Sequence, residues 1–178
     1  MRYASLFLVP ANQQLQRMNQ VTTLLDNLAR EIDNDHREQM TKFLSELYLF
    51  VHARDEADPE DLMTKLASAN RTQELQHAPL ALERFEMLLE TYKHFPSGQK
   101  LLGLFLAQIH DVFCYQILGK NLADQEIDDI IQVKIIDKTI SDMGVGFKHF
   151  TLTPRHVRGM VYYLADKCYI RWDEKCSA

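Results

Sequence analysis

Apolar residues recur along this chain at steps of three and four, the spacing that aligns one face of an α-helix. Leu15, Met18, Val21, Leu25, Leu28 and Ile32 form one such stripe, close to a heptad seam, and predict a helix over about 12–32. Asp33-Asn34-Asp35 breaks it and caps a second helix over about 35–55, with Met40, Phe43, Leu44, Leu47, Phe50 and Val51 inward. Asp58-Pro59-Glu60-Asp61 is a helix start, with Leu62, Met63 and Leu66 in a short helix ending near Asn70. Pro79 opens a fourth helix whose stripe is Leu82, Phe85, Leu88, Leu89, Tyr92 and Phe95. Pro96-Ser97-Gly98 reads as a tight connection, which predicts that the helix from about Gln99 to Leu118 runs back along the fourth. Gly119 fits a left-handed cap.

A sixth helix, from Asn121 or Asp124 to Met143, carries Ile127, Ile130, Ile131, Ile135, Ile136 and Ile140. So many isoleucines raise a strand alternative; the length and the Lys/Asp interleaving favour helix. Val145–Phe150 reads as strand or extended loop. Thr153-Pro154 starts another helix, Thr as N-cap and Pro at the first position, with Val157, Met160, Val161, Leu164 and Cys168 on its stripe. Tyr169-Ile-Arg-Trp172 reads as a short strand before a polar tail.

Composition narrows the class. The chain has 178 residues, 46% hydrophobic and 25% charged, which is ordinary for a globular protein and long enough to bury a core. Only 6 Gly and 5 Pro favour few, long elements. Cys114, Cys168 and Cys176 are odd in number and match no zinc spacing, so a disulfide framework is not expected and a reducing, cytoplasmic compartment is. The apolar stretch Tyr3–Val9 is too short for a signal core, and no run approaches the ~18 apolar residues of a membrane span.

Charge divides the chain. Residues 133–172 hold seven Lys/Arg against three Asp, a net +4, while residues 1–132 hold 12 basic and 20 acidic residues, a net −8. The expected organisation is a helical body over 1–120 and a basic C-terminal module over 121–178. Asymmetry of this kind points to a nucleic-acid surface on the module or to an electrostatic contact with a partner.

The run Thr151–Ile170 resembles the closing part of a winged-helix domain, where a helix turns into the first wing strand. It departs from that pattern in lacking a short middle helix between Met143 and Thr153 and a second wing strand after Trp172. Taken with the Leu15–Ile32 stripe, the Thr153–Trp172 ending resembles the accessory (middle) subunits that accompany SMC-like or ABC-type ATPases in bacterial defence operons. The resemblance implies a non-catalytic subunit docked on an ATPase head or a nuclease, and it carries over no individual residue.

Two surfaces follow. If the module binds double-stranded DNA, Arg155, His156 and Arg158 stand in the first turns of the reading helix and Lys148 and Lys167 flank it. The acidic whole and the incomplete wing weigh toward plain solvated charges instead. Tyr162, Tyr163, Tyr169 and Trp172 cluster at the same end; they either close the seam between module and body or, where exposed, offer a protein-docking patch.

Reactive centres find little support. Glu86, Glu90 and His94 are spaced by four, and His110, Asp111 and Cys114 follow on the next helix, but there is no Glu-x-x-His pair and no His-Glu-x-x-His. Gly-x-Ser-x-Gly, the phosphate-binding Gly-Lys-Ser/Thr loop and Gly-x-Gly-x-x-Gly do not occur. The sequence therefore predicts a mainly α protein: a bundle of about six helices with a small winged-helix-like end. Its expected role is a non-catalytic adaptor docked on a larger protein or on itself, with no cofactor or metal. The alternative is a winged-helix DNA-binding regulator.

Overall fold

The computed structural model describes residues 11–34, 61–143, 147, 149–167 and 169–170. The predicted helix over 35–55, the Asp58-Pro59-Glu60 start, Val145, Gly146 and Lys148 of the Val145–Phe150 segment, and Arg171–Trp172 fall outside the described residues.

The described part is helical. Helix α1 spans Ala11–Asp33, α2 Leu62–Ser68, α3 Ala78–Tyr92, α4 Pro96–Val112, α5 Asp124–Ile130, α6 Lys138–Met143 and α7 Pro154–Asp166. A 3-10 turn, Thr72–Glu74, follows α2. Two π-helical segments, Phe113–Ile117 and Ile131–Asp137, extend α4 and join α5 to α6. No strand occurs among the described residues.

Local chemistry sets most of the ends. Asp61 caps α2 by accepting from Thr64 N at 2.8 Å, and that bond holds its carboxyl below the usual carboxylate range. Asn70, at φ 60°, takes the left-handed position that stops the helix, and Arg71 N then reaches Leu66 O at 2.8 Å. Gly119, at φ 70°, closes the π turn after α4. Thr153 is the N-cap of α7 with Pro154 at its first position, as the sequence predicts.

One boundary differs from the pattern. Pro96-Ser97-Gly98 is the first turn of α4, not a loop before it. Its orphan Ser97 N–H is served from α1: Glu31 accepts from Ser97 N at 3.0 Å and from the Ser97 hydroxyl at 2.6 Å. The expected antiparallel pairing of α3 with α4 does not dominate either. α4 lies chiefly along α1, and α3 chiefly along α7.

The isoleucine-rich stretch is helical, with its register stretched. Gln132 Nε2 donates to Asp137 Oδ1 at 2.8 Å, a five-residue pairing that belongs to a π turn. That turn keeps Ile131, Ile135 and Ile136 buried before α6 resumes with Thr139 and Met143 inward.

α7 is the central element. Val157, Gly159, Met160, Val161, Tyr162, Tyr163, Leu164 and Ala165 are all buried, and the helix meets α2, α3, α4 and the π segment 131–137. Each fully buried aliphatic side chain contributes on the order of 1.5–3 kcal/mol. Buried residues before and after position 120, from Val21 to Ile170, form one contiguous apolar cluster. The α1 stripe splits: Val21, Leu25 and Leu28 are buried, whereas Leu15 and Met18 are 59% and 40% exposed.

Candidate docking surface

The predicted reading helix is built into the core. Of the five candidate DNA contacts, Lys148 lies outside the described residues. Arg155 is exposed at the start of α7. His156 is half-buried, and its Nδ1 accepts from Thr153 N at 3.2 Å, completing the cap of its own helix. Burial first, and the nearby Arg84 second, hold its pKa below the usual 6.5. Arg158 donates to Gln132 Oε1 at 3.3 Å. Lys167 pairs with Asp166 at 3.1 Å and sits 5.8 Å from the Tyr163 ring centre. Residues 157 and 159–165 of α7 turn inward, which leaves Pro154, Arg155, His156 and Arg158 as the accessible positions of its first turns.

The aromatic cluster is interior as well. Tyr162 and Tyr163 are 1% and 3% exposed, which corrects the docking-patch expectation for those two. Tyr163 stacks edge-on against Phe85, ring centres 5.1 Å apart, and burial, then the charge of Glu86, pushes its hydroxyl up to about 12. Burial, then the charge of Glu74, pushes the Tyr162 hydroxyl far above its ordinary value. Tyr169 is half-buried against the core, and Trp172 lies outside the described residues.

The first half of the expected wing strand serves instead as a helix cap. Tyr169 N and Ile170 N both donate to Leu164 O, at 2.8 and 3.3 Å, so neither is free for a ladder. The winged-helix ending is not formed by the described residues.

The residues tested for metal scatter. Glu90 pairs with Lys93. His94 borders an open groove. His110 Nε2 lies 3.6 Å from Cys114 Sγ on the half-buried side of α4. Among the described residues no group of three or more His, Cys, Asp or Glu converges on one point.

Among the described residues the outer face of α3 is one of the apolar surfaces left open. A groove of about 440 Å³ runs between α3 and the start of α7, lined by Leu80, Glu83, Arg84, Met87, Leu88, Thr91 and His156. Leu80 and Met87, seven residues apart and therefore on one face, are 46% and 64% exposed. Arg84 stands on the α7 side of this ridge, near enough for its charge to act on His156. Helical geometry puts Glu83 on the opposite flank. Neither makes an ion pair among the described residues.

A second groove, of about 430 Å³, shares Thr91 and continues past Glu90, Tyr92, His94 and Phe95 to Ile32 and His149. There the Tyr92 hydroxyl donates to the His149 carbonyl, and His149 Nε2 lies 3.1 Å from Asp33 Oδ1. Together the two grooves follow α3 from Leu80 to its C-terminal end, about 20 Å at 1.5 Å per residue.

Residues 61–172 match the family model CTD9, the C-terminal domain 9 of the ABC-three component (ABC-3C) systems. The chain belongs to this family. No curated protein and no solved structure matches it. A CTD9 chain is a component of a multi-subunit system, so it has protein partners, and the association with ABC-type ATPases agrees with the resemblance drawn from the sequence. The matched region holds every residue of the first groove and the whole of α2–α7. Among the described residues no helix is long and apolar enough to cross a membrane.

The sequence did not single out Leu80, Arg84 or Met87. A usable signal was present: Leu80 and Met87 fall off the buried stripe of Phe85, Leu88 and Tyr92.

Proposed function

We propose that this CTD9 chain is a non-catalytic docking component, an adaptor that binds a larger protein of its ABC-3C system within a DNA-acting, defence-type assembly. The observation that carries the reading is the open α3 face. Two large apolar side chains seven residues apart stand in solvent beside a groove, on a chain whose family places it among several components. A surface of this kind loses its exposed apolar area when a partner covers it.

The test is co-expression of the tagged chain with the other components of its ABC-3C system, followed by light scattering on the eluted peak. A stable complex of defined stoichiometry supports the reading; a chain that elutes alone beside every component contradicts it. The same preparation answers the alternative of a DNA regulator. Burial of α7 argues against that role, so duplex DNA at low salt should not shift the isolated chain.

A further inference from the structure

The charge pattern around the first groove identifies what kind of partner segment fits it. Leu80 and Met87 form a ridge about two helical turns long. Arg84 flanks that ridge on the α7 side, toward His156. Glu83 flanks it on the other side. A chain of net charge −5 thus presents a basic flank, at Arg84, beside exposed apolar side chains. All residues of this groove lie inside the CTD9 match, so the surface belongs to the family's own domain.

Resting on the docking reading above, we infer that the α3–α7 groove receives an amphipathic helix from another component of the ABC-3C system, with apolar residues on Leu80 and Met87 and an acidic residue against Arg84. The acid faces the α7 edge and a basic residue of the partner helix faces Glu83, so the two charges fix which way the helix lies. A rim charge of this sort sets orientation and encounter rate, while the apolar ridge supplies the anchoring contact.

The experiment uses the full chain with a photo-cross-linking residue at position 87, mixed with the other purified components of its system. A cross-link mapped to an amphipathic helix of one component, with an acid on its basic-edge side, is the expected result. R84E should weaken that complex about tenfold or more without changing the thermal midpoint of the free chain, and changing the mapped acid to Arg should restore binding to R84E. If the complex forms but position 87 cross-links nothing, or R84E binds as well as wild type, the groove assignment is overturned and the docking role survives. A cross-link from position 87 to residues 35–60 of the same chain overturns it equally. If no component binds the wild-type chain, both readings fail together.

Discussion

Gly159 of α7 crosses α3 directly over Ala81: a Cβ added at Gly159 would lie 2.1 Å from the Ala81 carbonyl oxygen and 2.9 Å from the Phe85 Cβ. Replacing an interior helical Gly with Ala ordinarily stabilises by about 1 kcal/mol. Here the obstacle is backbone, so the two central helices must separate. G159A should lower stability by roughly 1–3 kcal/mol or more, read as a lower urea midpoint. Because the clash is with a main-chain atom, A81G should not rescue it.

A buried cation holds the 71–74 turn to α5. Arg71 is 1% exposed, with Nε donating to Glu74 Oε1 at 2.9 Å and Nη2 reaching both Glu74 and Asp128. The Glu74 side chain is 9% exposed and that of Asp128 38%. Removing the deeper acid leaves a buried charge poorly compensated. E74A should cost about 3–5 kcal/mol and D128A about 1 kcal/mol or less. Equal losses in chemical denaturation would contradict this division.

The C-terminal end of α7 is closed by a side chain far away in sequence. Lys65 Nζ donates to Ala165 O at 3.1 Å and Asp166 O at 3.0 Å, neutralising the negative end of the helix. K65M keeps most of the aliphatic contact and removes the donors. It should destabilise by about 1–3 kcal/mol, and amide exchange should rise first in the last turn of α7.

The other end of α7 is capped by a titratable ring. His156 accepts a hydrogen bond through Nδ1, which requires the unprotonated nitrogen, and its folded pKa lies below 6.5. A depressed histidine pKa contributes stability that is complete above the unfolded value and is lost as pH falls through the folded one. Wild type should therefore lose thermal stability as pH falls below about 6.5 more steeply than H156Q, which keeps an acceptor but no titrating ring. Parallel curves would show that the ring does not govern this window.

These contacts explain which parts of the fold were legible in sequence. Local signals held: Asn70, Gly119 and Thr153-Pro154 mark the ends they should, because each cap is satisfied within a few residues. Signals that depend on distant partners failed. Pro96-Ser97-Gly98 looks like a loop, and becomes helix because Glu31, 66 residues from Ser97, supplies its cap. Nothing near Lys65 in sequence marks its burial, because its acceptor Ala165 is 100 residues away. The π register of 131–137 leaves no mark in a pattern of apolar steps. For Tyr162 and Tyr163 the sequence leaves seam and docking patch both open because periodicity shows one face of a helix, and α7 is covered on several sides. The open α3 face was legible only as two apolar residues off the stripe.

Methionine footprinting tests the docking account most directly. Met87 is 64% exposed on the α3 ridge, while Met18 and Met63, 40% and 36% exposed on α1 and α2, serve as internal references. Oxidation by dilute peroxide follows thioether exposure. In the assembled ABC-3C complex the Met87 oxidation rate should fall severalfold while Met18 and Met63 react as in the free chain. Oxidation of Met87 at its free rate within an intact complex would contradict the account.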